Sequence, residues 1–250
     1  MSQIQLILAV TGVLAGFVDS IAGGGGLITL PVLASILGPG ANAIGTNKIV
    51  ALPVAAVAFW VYLKKQKLRF KKGFAFVLSL GLGSFLGSLA APHFPKIYFQ
   101  YFLILTCPVI LWFLWNKKIF LQECLEHPSR GHYALIFSGL GVGFYDGFFG
   151  PGGGTFMLLA LLWGARLPLF EALLLSKLSN TVSAGVALSS YAAQGYVHYS
   201  EGLVMAAGGL VGGYCGSRLA SARAEKLVRP FLVLVVSLLL LVQMKQLLGS

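Results

Sequence analysis

Apolar segments recur along the whole chain, at about 4–22, 26–37, 42–63, 73–92, 97–115, 132–150, 153–165, 169–193, 202–220 and 228–247. A helix of about 20 residues crosses the hydrocarbon core of a bilayer, and most of these segments reach that length. Only 10% of the 250 residues are charged, against roughly a quarter in a soluble domain. Mean hydropathy is +0.85. So little charge cannot cover a water-exposed surface. The expected fold class is all-α, a polytopic helical membrane protein whose first partner is the lipid bilayer. The opening MSQIQLILAVTGVLAGFVDS lacks a basic n-region and reads as a retained first helix rather than a cleaved signal.

Two segments are too short to cross. At 1.5 Å per residue, 26–37 and 153–165 rise only about 18–20 Å. Each follows a glycine cluster, Asp19-Ser20-Ile21-Ala22-Gly23-Gly24-Gly25-Gly26 in one case and Asp146-Gly147-Phe148-Phe149-Gly150-Pro151-Gly152-Gly153-Gly154 in the other. The likeness extends further. Lys48, Ala55, Val57, Ala58 and Tyr62 match Lys177, Ala184, Val186, Ala187 and Tyr191, each 129 residues on. Gly73, Gly83, Gly87, Ser88 and Phe102 match Gly202, Gly212, Gly216, Ser217 and Phe231 in the same register. Upstream the offset is 127, pairing Gly16 to Asp19 with Gly143 to Asp146 and Gly25-Gly26 with Gly152-Gly153. The chain therefore reads as a first repeat over 1–115, a polar linker over 116–130, and a second repeat over 131–250.

Charge predicts how the repeats are oriented. The loop 64–72 holds six Lys/Arg, and its counterpart 194–201 holds none. The basic loop of the second repeat is 218–229, with Arg218, Arg223, Lys226 and Arg229, while its counterpart 89–100 has Lys96 alone. Positive loops face the cytoplasm. Opposite bias at equivalent positions is the pattern of two inverted-topology repeats. It puts 64–72, 116–130 and 218–229 inside and both termini outside. Parity then makes each glycine-broken opening a hairpin, re-entrant or made of two crossing legs. The same confinement of basic residues to short loops beside spans argues against nucleic acid as the partner behind the net charge of +11.

The candidate site lies in the glycine breaks. Consecutive glycines cost up to ~1 kcal/mol each in a helix, and non-helical backbone at membrane depth needs protein or a water-filled cavity to satisfy it. Helices starting near Gly26 and Gly153 would aim N–H groups and a positive dipole end at such a cavity, where an anion is the natural occupant. The competing reading is tight packing through small residues. The only two aspartates of the chain, Asp19 and Asp146, precede the two breaks. They are candidates for ion pairing or for a coupling proton or cation, or else they cap the glycine loops. Lys48 and Lys177 lie inside apolar helices among Thr46, Asn47, Ser176 and Asn180, which can offer neutral hydrogen bonds to an oxyanion. The alternative is a lysine that snorkels to the interface.

The remaining residues point elsewhere. His93, His127, His132 and His198 and the cysteines Cys107, Cys124 and Cys215 lack metal-ligand spacing, so no metal is expected. The Gly81, Gly83, Gly87 and Gly208, Gly209, Gly212, Gly213, Gly216 series suggests close helix contacts. Walker, zincin and nucleophile-elbow motifs are missing, so neither an enzyme nor a cofactor is expected.

The stretches GFVDSIAGGGGLITLPVL with GTNKIVA, then GFYDGFFGPGGGTF with SKLSNT, resemble the TauE/SafE sulfite exporter family, within it the YfcA-like branch of permeases. The likeness covers nearly the whole chain. It implies a secondary transporter of the bacterial inner membrane that exports or takes up sulfite, sulfonates or related organosulfur anions. The residues that match the motif are Asp19, Gly23, Gly24, Gly25, Gly26, Thr46, Asn47 and Lys48, then Asp146, Gly152, Gly153, Gly154, Ser176, Lys177 and Asn180. Pro151 and a shifted glycine run set the second motif apart. The function expected is alternating-access transport of a small sulfur-containing anion, with a passive anion channel, a carrier of a small carboxylate, or a non-transporting scaffold as the other readings.

Overall fold

The computed structural model describes residues 2–65, 70–95 and 132–248. Among these every regular element is helical: α1 Gln3–Ala22, α2 Gly26–Leu37, α3 Ala41–Leu63, α4 Phe70–Ala90, α5 His132–Phe148, α6 Gly153–Trp163, α7 Leu169–Ala193 and α8 Tyr199–Leu248, with a 3-10 turn at Ala91–His93 after α4. The expected span 97–115 and linker 116–130 lie outside the described residues.

Helix ends fall where the chemistry asks for them. Ser2 and Gln5 form a capping box at the start of α1. Gly23 ends α1 in the left-handed region, φ 83°, with its N–H on Asp19 O at 2.7 Å. Gly152, φ 73°, stands before α6. The two short segments are helices of 12 and 11 residues.

One expectation needs correction. The stretches 202–220 and 228–247 are not separate helices joined by a basic loop. They form one helix, α8, of 50 residues, with 218–229 inside it. The reason is local: RLASARAEKLVR is built of strong helix formers and contains no glycine, so nothing terminates the helix before Pro230.

Three described helices are long and apolar enough to cross a membrane, Gln3–Ala22, Ala41–Leu63 and Gly73–His93. Large apolar side chains line their outer faces, including Leu6, Val10 and Leu14 on α1 and Leu78, Leu82 and Leu86 on α4. In water this would be untenable, so the protein is a multi-pass helical membrane protein.

The helices do not pack half by half. α1 lies along α8, and α5 along α4. Glycines make both contacts backbone to backbone: a Cβ on Gly12 or Gly16 would run into Met205 O or Gly209 O, and one on Gly143 or Gly147 into Leu80 O or Ser84 O. Residue numbers rise together across each seam, so both pairs are parallel. α3 is parallel to α8, since His198 N–H meets Thr46 Oγ1 near one end and Lys65 Nζ donates to Ser221 O at the other. That last bond also brings the two basic stretches to one end of the molecule. α4 is parallel to α7, where Gly73 meets Leu175 and Ser84 meets Ser183. At the centre α3 crosses α7 in the opposite sense, Gly45 against Tyr191 and Leu52 against Gly185. Two groups result, α1 with α2, α3 and α8, and α4 with α5, α6 and α7, and they share the α3–α7 seam.

Candidate functional site

The two glycine breaks meet. A Cβ on Gly154 would lie 2.9 Å from Gly23 Cα and Gly23 O, and Thr155 Oγ1 donates to Ala22 O at 3.2 Å. Each break sets the C-terminus of one helix beside the N-terminus of the next. The last carbonyls of the first helix need donors, and the first amides of the second need acceptors.

The opposite half supplies the donors. Lys48 Nζ, from α3, donates to Asp146 O at 2.5 Å and pairs with Asp146 Oδ2 at 2.9 Å. Lys177 Nζ, from α7, donates to Asp19 O and pairs with Asp19 Oδ2 at 3.3 Å. The Tyr62 and Tyr191 hydroxyls add a donor from within the same half, donating to Ser20 O at 2.6 Å and Gly147 O at 2.7 Å. A cation at a helix C-terminus is favoured by the dipole. The carboxylates take the other end: Gly25 N–H donates to Asp19 Oδ1 at 3.1 Å, and Asp146 Oδ1 occupies the place that a Cβ on Gly153, the first residue of α6, would take. Each helix N-terminus thus already faces an anion of the protein's own.

The pairs are buried and not equivalent. Asp146 is further held by Ser183 Oγ at 2.5 Å, and Ser183 Oγ also meets Ser84 Oγ at 2.9 Å. At the position matching Ser183 the first repeat has Val54. The Asp19 side chain is 10% exposed and that of Asp146 4%. Beside Asp19 lies a cavity of about 20 Å³, lined among others by Gly25, Gly26, Thr29, Asn47 and Val54. That is room for about one water. Thr29 Oγ1 donates to Asn47 Oδ1 across it at 2.5 Å. The position matching Thr29 is Phe156, packed edge-on against Tyr145.

Other expected site residues fall as follows. Gly24 is buried in the turn and accepts from Leu27 N–H at 3.1 Å. Thr46 Oγ1 accepts from His198 N–H and ties α3 to the start of α8. Ser176 Oγ donates to Leu173 O of its own helix. Asn180 is buried on α7, as is Ser179, whose Oγ finds no partner among the described residues.

Sequence reasoning missed Tyr62, Tyr191, Ser84 and Ser183. The tyrosines stood in the repeat register but carried no obvious charge chemistry. Ser183 has no repeat partner to mark it. Among the described residues no cluster of His, Cys, Asp and Glu could hold a metal.

The profile of the sulfite exporter TauE/SafE family matches residues 8–244. The chain is similar to a "probable membrane transporter protein" of Haemophilus influenzae, 34% identical over 232 residues, which cover 92% of this chain and 90% of that one. It is equally similar to the "probable membrane transporter protein YfcA" of Escherichia coli K12, 34% identical over 92% of this chain and 85% of that one. A Sinorhizobium relative named "probable membrane transporter protein ORF9" is 32% identical over 91% and 87%. All are named as transporters rather than enzymes. No solved structure matches.

Proposed function

This chain belongs to the TauE/SafE family of membrane transporters, and from that premise we propose that it carries a small sulfur-containing oxyanion, such as sulfite or a sulfonate, by alternating access. The observation that carries the reading is the occupancy of the breaks by the protein's own anions. A carboxylate oxygen on a backbone N–H, with a second on a buried lysine, is the contact set an oxyanion group of a substrate would take over. Lys48 and Lys177 supply the positive charge. Gly23 to Gly26 and Gly152 to Gly154 supply close backbone approach, Asn47 and Asn180 neutral polar groups, and Asp19 and Asp146 the negative charge that fills the breaks at rest. A coupling proton or cation is the second ligand.

Inverted repeats support the mechanism. The antiparallel α3–α7 crossing, with α1 and α3 parallel to α8 and α4 parallel to α5 and α7, is what inversion demands. The bodies that rock are then α1–α2–α3–α8 against α4–α5–α6–α7, each containing one helix of the other half. The protein sits in the bacterial inner membrane with its N-terminus outside and the 64–72 stretch inside; because α8 runs unbroken past 218–229, its far end lies beyond the inner face rather than outside, where two separate helices would have put it.

A small carboxylate is the second reading, favoured because the group in each site is itself a carboxylate. A thermal-shift screen of purified protein against sulfite, thiosulfate, sulfonates, sulfate and small carboxylates separates the two, since a ligand of the folded state raises its melting point. In proteoliposomes, Lys177→Ala and Lys48→Ala should abolish flux of the ligand so found. Wild-type rates in both would overturn the site assignment. Accumulation against a gradient excludes a passive channel.

A further inference from the structure

Resting on the transporter reading above, we infer that the two pseudo-equivalent ion pairs divide the labour: Lys177–Asp19 is the pair that opens to exchange Asp19 for the substrate anion with uptake of a proton, and Lys48–Asp146 is a fixed strut. Three differences carry this. Asp146 accepts from Lys48 at 2.9 Å and from Ser183, itself tied to Ser84, at 2.5 Å, while Asp19, with the apolar Val54 at the position matching Ser183, accepts from Lys177 at 3.3 Å and from Gly25 N–H at 3.1 Å. The Lys177–Asp19 contact is the longer and the more exposed. Space adjoins Asp19, bounded by Thr29 where the second repeat has Phe156. A void beside a carboxylate held by two long contacts lets its side chain turn away, whereas the Asp146 carboxylate has to break two short ones to do so.

Charge supplies the proton. Lys177 and Asp19 together are neutral. Adding a monoanion leaves an uncompensated charge in a buried site, which a low-dielectric interior does not accept. The balance closes when one proton from the aqueous phase joins the O of the displaced Asp19 carboxylate. Lys177 then pairs with the incoming anion, and Asp19 is a neutral acid. Lys177 need not move, because it also donates to the main-chain oxygen of Asp19. One monoanion is thus carried with one proton. The present cavity holds about one water, so a four-heavy-atom anion enters only as the carboxylate leaves.

The test uses full-length protein in liposomes, with the anion that shifts the wild-type melting temperature as probe and a pH gradient imposed. Asp19→Asn mimics the protonated acid. It should keep equilibrative flux but lose pH-driven accumulation and the dependence of rate on external pH. Asp146→Asn should lower yield and melting temperature, while its remaining flux stays proton-driven. At matched amounts of folded protein, Thr29→Phe should fill the site and stop flux, whereas Thr29→Val, which loses only the hydroxyl, and Phe156→Thr should keep it. Proton coupling that survives Asp19→Asn, or that is lost equally in Asp146→Asn, overturns the inference. Wild-type protein that carries none of the screened anions overturns the transporter reading instead.

Discussion

Asp146 illustrates how much a single buried charge is worth. With Lys48, Ser183 and the start of α6 around it, its removal strands an ammonium in a dry interior. Breaking one partner of such a pair costs about 3–5 kcal/mol, while removing both is far milder. Asp146→Asn should therefore lower the thermal midpoint in detergent sharply, and adding Lys48→Gln should restore most of the loss; a double variant no better than the single one would show that the pair is not the cause. Ser179 is the converse case. Its hydroxyl is buried with no partner among the described residues, so Ser179→Ala should be neutral or stabilising by up to about 1 kcal/mol. Loss of ligand-induced thermal shift in that variant would make the hydroxyl a ligand. The pairing of Asp with Lys was open to sequence reasoning only in part. The repeat register singled out all four residues, but which lysine meets which aspartate depends on the crossing of the halves, which no spacing along one chain encodes.

At the scale of the helix, glycines divide into those that admit a neighbour and those that do not. Gly143 and Gly141 sit two residues apart on α5. A Cβ on Gly143 would strike the carbonyl of Leu80, while nothing stands within 4 Å of Gly141. Alanine at Gly141 should thus stabilise by up to about 1 kcal/mol through helix propensity. At Gly143 it should push α4 and α5 apart and destabilise; equal melting temperatures for the two variants would refute close packing at this seam. Helix positions were well readable, since the starts of α2, α6 and α7 fall at the residues where glycine clusters and Pro168 place them. The failure at 218–229 is instructive. A run of charge reads as a loop, but arginine and lysine are also good helix formers, and only a glycine or an early proline would have ended α8 there.

For the whole molecule, the two units of sequence are not the two units of packing. Because α1 lies against α8 and α5 against α4, each half has lent its fourth described helix to the other. Repeat detection finds the halves, but the exchange is a property of which glycine faces meet, and both halves carry such faces. The exchange predicts where motion is allowed. In a background with Cys107, Cys124 and Cys215 replaced by serine, Leu52→Cys with Gly185→Cys places thiols across the α3–α7 seam, where Leu52 Cδ1 lies 3.6 Å from a Cβ built on Gly185. Gly81→Cys with Val182→Cys places them within the α4–α7 contact, where the corresponding separation to Val182 Cγ1 is 3.3 Å. A short thiol cross-linker on the first pair should arrest flux in proteoliposomes, with recovery if the linker is reducible. The same linker on the second pair should leave flux intact, since both helices move together. Arrest by both would mean that the sequence halves themselves are the moving bodies, since each pair joins one half to the other, and arrest by the second alone would mean that α3 and α7 move together while α4 moves against them.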